Sequence, residues 1–208
     1  MKQKINCNWH RYVDLGLPSG LLWATCNVGA KEPWERGLYF SWGNVDGHEK
    51  GSGYRFSIAI DVNPYLSTPG AALTDNIPVG TKYDAARANL GGSWRMPTKD
   101  EFKELYYNCI SEWTTQNGVN GMLFTSCING KDAFFPATGI YYGTSLIDEG
   151  ASGGYWSNSP LSNTYAHLLY VNSCGVHPHN DCCRIAGVTV RPVLDHPKGT
   201  LLIKTIKR

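Results

Sequence analysis

Residues 155–193, YWSNSPLSNTYAHLLYVNSCGVHPHNDCCRIAGVTVRPV, constrain the fold more than any other part of the chain. Two short runs within them, AHLLYV and IAGVTVRPV, are β-branched or aromatic and bounded by Ser, Asn, Gly and Pro, so they read as strands. Twelve residues between the runs, SCGVHPHNDCCR, are too polar and too rich in turn formers for a packed core. They are expected to form a loop carried on a rigid frame, the kind of place where binding residues concentrate.

The same region lacks five residue types. Residues 157–197, 41 positions, contain no Lys, Gln, Glu, Met or Trp, although those types fill 30 of the other 167 positions and about seven would be expected. Burial does not explain the gap, because a core would accept Trp and Met and reject Asn, His and Asp.

A chain of 208 residues suits one domain with a single large core, needing neither disulfide nor metal. Its 42% hydrophobic content excludes a disordered chain, and its 17% charged content leaves Ser, Thr, Asn and Gly to cover much of the surface. A net charge of +2 with no Lys/Arg cluster gives no reason to expect nucleic acid or an anionic membrane as partner. No run reaches the length of a membrane span, and no apolar stretch follows the basic start, so no signal peptide is read. The expectation is synthesis and folding in the cytoplasm with reduced thiols. Cys7, Cys26, Cys109, Cys127, Cys174, Cys182 and Cys183 form no zinc spacing, and an odd count leaves at least one free.

Along the chain, residues 12–25 read as a hairpin around Pro18-Ser19-Gly20, and residues 38–42 as a further strand. Trp23, Trp34 and Trp42 are read as core between strands, in preference to a sugar-stacking platform. Residues 44–80 form the least regular stretch, and Asp46, His48, Glu49 and Asp61 within it are read as solvated loop, not metal ligands. A short helix is expected over 83–90, stopped by Gly91-Gly92. A second starts at a capping box of Thr98 and Glu101 and places Phe102, Leu105, Tyr106, Cys109 and Ile110 on one face. Short strands are then expected at 112–115, 122–127, 133–136 and 155–157, with turns at Asn117-Gly118, Asn120-Gly121 and Asn129-Gly130. The fold class is α+β, with two helices and short, mainly antiparallel strands.

The motifs YVDLGLPSGLLWATCNVGA, GLYFSWG, GGSWRMPTKDEF, GIYYGTSL, GGYWSNSP and GVTVRPV, spread over about residues 12–193, resemble the Fibrobacter succinogenes major paralogous domain, a family abundant in Bacteroides and its phages. The resemblance implies a C-type-lectin-like fold, one domain over 1–193 with residues 194–208 as a terminal strand or arm. It also implies kinship with the variable proteins of diversity-generating retroelements, in which an error-prone reverse transcriptase rewrites adenines in a C-terminal segment. Randomising the first two positions of an AAY asparagine codon cannot yield Lys, Gln, Glu, Met or Trp, which accounts for the missing types. Each of Gly175, His177, His179, Asn180, Asp181, Cys182, Cys183, Ile185 and Ala186 is reachable by that route, while Val176, Arg184, Gly187, Val190 and Arg191 keep framework identities.

On that resemblance the chain is a non-catalytic binding module. Its ligand-binding residues are His167, Gly175, His177, His179, Asn180, Asp181, Cys182, Cys183, Ile185 and Ala186, with Tyr155, Trp156, Tyr165 and Tyr170 as rim candidates. No catalytic residue, metal or cofactor is expected. His177, His179 and Asp181 at alternate positions could meet a metal, but Pro178 disturbs the strand and no fourth ligand can be named. The implied partner is a bacterial surface protein or glycan, without nucleic acid or membrane insertion, met by a homo-oligomer, a trimer by analogy. The implied setting is a phage tail or fibre, otherwise a cell surface. The alternatives are an oxidase like the formylglycine-generating enzymes, whose two spaced reactive cysteines this chain does not reproduce, and a purely structural virion component.

Overall fold

The computed structural model describes residues 11–53, 76–78 and 81–195. Asp61 and the segment 196–208 lie outside the described residues; of the expected terminal strand or arm only Leu194 and Asp195 are described, Leu194 within a strand it shares with Val193. Among the described residues the chain is built mostly of antiparallel strands with two helices, an α+β arrangement, and no helix is long and apolar enough to cross a membrane.

The local signals with a definite stereochemical mechanism act where they stand in the sequence. Strands β1 (Tyr12–Asp14) and β2 (Leu22–Ala24) pair antiparallel, Val13 opposite Trp23. Helix α1 (Ala85–Leu90) begins at Asp84, whose carboxylate accepts from the Arg87 N–H, and ends at Gly91 with φ 72°. Strand β3 (Trp94–Arg95) leads into α2 (Lys99–Asn108), where the Thr98 hydroxyl accepts from the Glu101 N–H and the Glu101 carboxylate accepts from the Thr98 N–H. Strands β4 (Cys109–Gln116) and β5 (Val119–Ser126) close on Asn117-Gly118, both at positive φ, with Gln116 opposite Val119. Strand β6 (Asp132–Pro136) follows the Asn129-Gly130 turn and pairs with β5.

The remaining strands are β7 (Ile140–Tyr142), β8 (Ser145–Ile147), β9 (Ser152–Pro160), β10 (Tyr165–Asn172), β11 (Gly175–Cys183) and β12 (Val193–Leu194). They complete four sheets, ordered β1-β2-β12-β3, β11-β10-β9, β4-β5-β6 and β7-β8. Strand β12 slots between β2 and β3, Val193 facing both Trp23 and Arg95, so the last framework residues lock onto the first. Asp195 extends the join by accepting from the Arg95 guanidinium at 2.6 Å.

The β9-β10-β11 sheet is covered on both faces. Tyr155, Leu169 and Val171 enter a cluster with Trp23, Phe102, Leu105, Phe124 and Phe135, whereas Trp156, Ala166 and Leu168 enter one with Phe40, Trp42, Met96, Val188 and Val190. Alternate side chains thus serve opposite cores, the period-two rule of a strand. Trp23 and Trp42 are fully buried, as expected of core residues, and Trp34 is half-buried.

Five expectations need correction. Residues 173–184 are not a loop, because most of them form β11, paired with β10 from Asn172 opposite Gly175 to Tyr165 opposite Cys183. Pro178 is tolerated because β11 is an edge strand and carries a bulge there: two steps of β10, Leu168 to Tyr170, face three of β11, Asn180 to His177. Residues 185–193 are not one strand. Phe40–Val188, Tyr141–Gly187 and Tyr155–Thr189 are single bridges to three different segments, and only Val193 enters a ladder of the four-stranded sheet. Residues 38–42 likewise make only the single bridges Tyr39–His48 and Phe40–Val188. Asn120-Gly121 is strand, not turn; a Cβ on Gly121 would lie 2.4 Å from the Phe135 carbonyl oxygen, so close approach, not chain reversal, calls for glycine. Finally α2 stops at Asn108, leaving Ile110 on β4 and 67% exposed instead of on the helix's buried face.

Candidate functional site

The C-terminal side of β11 is fixed by two buried arginines. Arg184, just past its C-terminal end, is buried, stacks its guanidinium over the Trp42 ring at 4.4 Å and donates to the carbonyls of Tyr165 and Ser162. Trp42 in turn donates Nε1–H to the Ser157 carbonyl at 2.7 Å, and Trp156 to that of Phe40 at 2.8 Å. Arg191 is fully buried; it donates to Asn27 Oδ1 at 2.8 Å and to the carbonyls of Ala24, Thr25 and Phe134, and stacks over Phe135. Burial pulls both guanidinium pKa values down, yet an arginine stays charged, so carbonyl dipoles and aromatic faces carry each cation.

Ahead of these anchors the strand meets solvent along its outer edge, with which no strand pairs among the described residues. His177, His179, Asn180 and Asp181 are exposed, while Pro178 and Cys182 turn inward. The exposed part faces the last turn of α2, and the two enclose an open groove of about 490 Å³ lined by Tyr106, Tyr107, Val176, His177, Pro178, His179 and Asn180. Tyr107 is 71% exposed and Tyr106 36%, their rings 5.2 Å apart at 60°. The His177 ring lies 6.0 Å from that of Tyr170 on the neighbouring strand.

The structure divides the sequence-derived residues sharply. His177, His179 and Asn180 line the groove, and Asp181 stands exposed beside it. Gly175 opens the strand at φ 141° with open space around it. Cys183 and Ile185 are half-buried. Cys182 and Ala186 are buried, so the outward display expected of them does not hold; they pack with Trp42, Trp156 and Val188. His167 is half-buried opposite Asp181, its Nδ1 without a hydrogen-bond partner, and burial with Lys99 nearby lowers its pKa. Tyr155 and Trp156 are wholly buried and cannot form a rim, because β9 is covered on both faces. Tyr165 is exposed and Tyr170 half-buried.

Tyr106 and Tyr107 were not expected here, helical spacing having placed Tyr106 on the buried stripe. A signal was present: adjacent helical residues sit about 100° apart, and the stripe through Phe102 and Leu105 leaves little room for both tyrosines.

The thiols are not arranged as a spaced reactive pair. Burial pushes the Cys109 thiol up to about 11. The hydrogen bond with Cys183 and burial push that of Cys182 up, and its sulfur lies 3.2 Å from the Tyr142 hydroxyl. The Cys182 hydrogen bond holds its neighbour Cys183 down, at about 7. All six described cysteines are free, and no group of three or more His, Cys, Asp or Glu side chains among the described residues is placed to hold a metal. The groove offers imidazole and amide hydrogen-bonding groups beside two phenol rings. In comparisons with known proteins, no family model, curated protein or solved structure matches the chain.

Proposed function

We propose that this protein is a non-catalytic binding module with a C-type-lectin-like fold, related to the Fibrobacter succinogenes major paralogous domain and to retroelement-diversified variable proteins. It presents β11 to a component of a bacterial surface, as a phage receptor-binding or attachment protein does. The observation that carries this reading is the separation of roles within one short stretch. His177, His179, Asn180 and Asp181 are exposed on a free edge, while Arg184, Val188, Val190 and Arg191 are buried within the frame. These exposed residues lie within the stretch lacking Lys, Gln, Glu, Met and Trp.

Two further observations support it. Among the described residues the last strand pairs with the first hairpin, which suits a module with its recognition surface elsewhere. An oxidase of the formylglycine-generating kind would need spaced, accessible thiols, and Cys182 is 4% exposed, adjacent to Cys183.

The test is whole-cell binding across a panel of Bacteroides strains with the wild type and with His177→Ala, His179→Ala and Asp181→Ala. Loss of cell binding with unchanged circular dichroism is expected. Unchanged binding by all three variants would remove β11 from recognition, and a wild type that binds no strain would favour the purely structural alternative. Sequencing the locus tests diversification separately, which calls for a reverse transcriptase gene and a template copy differing at adenines.

A further inference from the structure

We infer that the groove between α2 and β11 takes a neutral oligosaccharide, with the tyrosine pair as an unchanging wall and the β11 side chains as the selective one. This deepens the binding reading above and rests on it.

Size comes first. A specific protein interface engages about 20–30 residues a side, whereas this groove has seven lining residues and about 490 Å³ of space. A slender chain matches the groove in size. Chemistry narrows the occupant. Tyr107 leaves most of its surface in water and Tyr106 about a third, at different inclinations, so two aromatic faces with polar tips are on offer. Opposite stand His177, His179 and Asn180, which both donate and accept. A pyranose matches both walls, its C–H face packing on a ring while its hydroxyl rim reaches planar polar groups.

Charge argues for neutrality. None of the seven lining residues is Asp, Glu, Lys or Arg, so an ionised ligand would lose hydration without gaining a counter-charge from the lining. A peptide is disfavoured for a backbone reason. Adding a strand to the free edge requires a continuous ladder, and at the bulge Pro178 has no N–H to donate. Recognition then falls to side chains. The walls are also set in advance: Pro178 is buried, Val176 packs on the core and the Tyr170 ring backs His177. Tyr106 and Tyr107 lie outside the compositionally restricted stretch, so they stay fixed while the opposite wall varies.

The experiment uses the full chain and a panel of neutral and acidic oligosaccharides of hexoses, N-acetylhexosamines and deoxyhexoses, read by saturation-transfer NMR and titration. Neutral members are expected to bind. Tyr107→Ala should weaken all of them by at least about tenfold, Tyr107→Phe should retain most of the affinity, and His177→Ala or His179→Ala should reorder which members bind best. Binding of acidic members only, of no neutral member, or undiminished by Tyr107→Ala overturns the inference. A parallel arm separates this failure from that of the binding reading. Cells oxidised with periodate, which cleaves vicinal diols, should lose binding, and protease-treated cells should keep it. The reverse pattern leaves a binding module with a protein ligand and no saccharide site, whereas intact cells left unbound overturn the binding reading itself.

Discussion

Strands β9 and β11 flank the same central strand, each nine residues long, and have opposite relations to the rest of the molecule. In β9 all residues but the last are buried, whereas β11 exposes His177, His179, Asn180 and Asp181. The difference lies in what covers the outer edge. Beside β9, Gly153 bridges Gly139 and Tyr155 bridges Thr189, with a Cβ on Gly153 falling 2.7 Å from the Pro136 carbonyl oxygen. Beside β11 no strand lies among the described residues, and Pro178 and its bulge blunt the ladder that would invite one. Tolerance to substitution follows from the neighbour a strand lacks, not from the strand itself.

The comparison breaks most easily at Trp156. It is fully buried and donates to the Phe40 carbonyl, so Trp156→Ala should cost about 3–5 kcal/mol, a loss visible as a lower urea midpoint. A loss below about 1 kcal/mol would mean that β9 is no more essential than its counterpart.

A smaller effect sharpens the contrast at the groove's other wall. Thr98→Ala removes half of the capping box that starts α2 and should cost about 1 kcal/mol in the same measurement. Groove affinity should fall little, because Tyr106 and Tyr107 sit at the far end of the helix.

The smallest effect concerns pH. His167 has its pKa lowered in the folded state by burial and by Lys99, so the folded protein favours the neutral ring. That stability is fully present above the unfolded histidine value, about 6.5, and is lost as pH falls through the folded one. Acidification from pH 7 to pH 5 should therefore destabilise the wild type more than His167→Gln. Equal slopes would place His167 in water on both sides of the transition.

Much of the frame was legible because its signals are local. The Thr98–Glu101 box, the Asn117-Gly118 hairpin and the stop at Gly91 each act through a hydrogen bond or a positive φ that neighbouring residues determine. β11 was not legible, since polar side chains and a proline look like a loop until pairing with β10 supplies the backbone partners. The run 185–193 misled in the other direction: Val188, Thr189, Val190 and Val193 are buried among several elements, and burial does not require a ladder. The exposure of His177, His179, Asn180 and Asp181 was legible in their polarity, although His179, Asn180 and Asp181 are exposed in succession and not in alternation. Cys182 and Ala186 share that stretch but turn inward, and Tyr155 and Trp156 look like rim residues only while the second core over β9 is unseen. The tyrosine wall required knowing which face of α2 meets the sheet.

The most direct measurement combines stability and recognition in one variant. Replacing His177, His179, Asn180 and Asp181 together by serine should change unfolding free energy by less than about 1 kcal/mol, since exposed substitutions away from special features rarely matter, and should abolish cell binding. A variant that unfolds several kcal/mol more easily, or one that still binds cells as the wild type does, would contradict the claim that this edge strand serves recognition and not the fold.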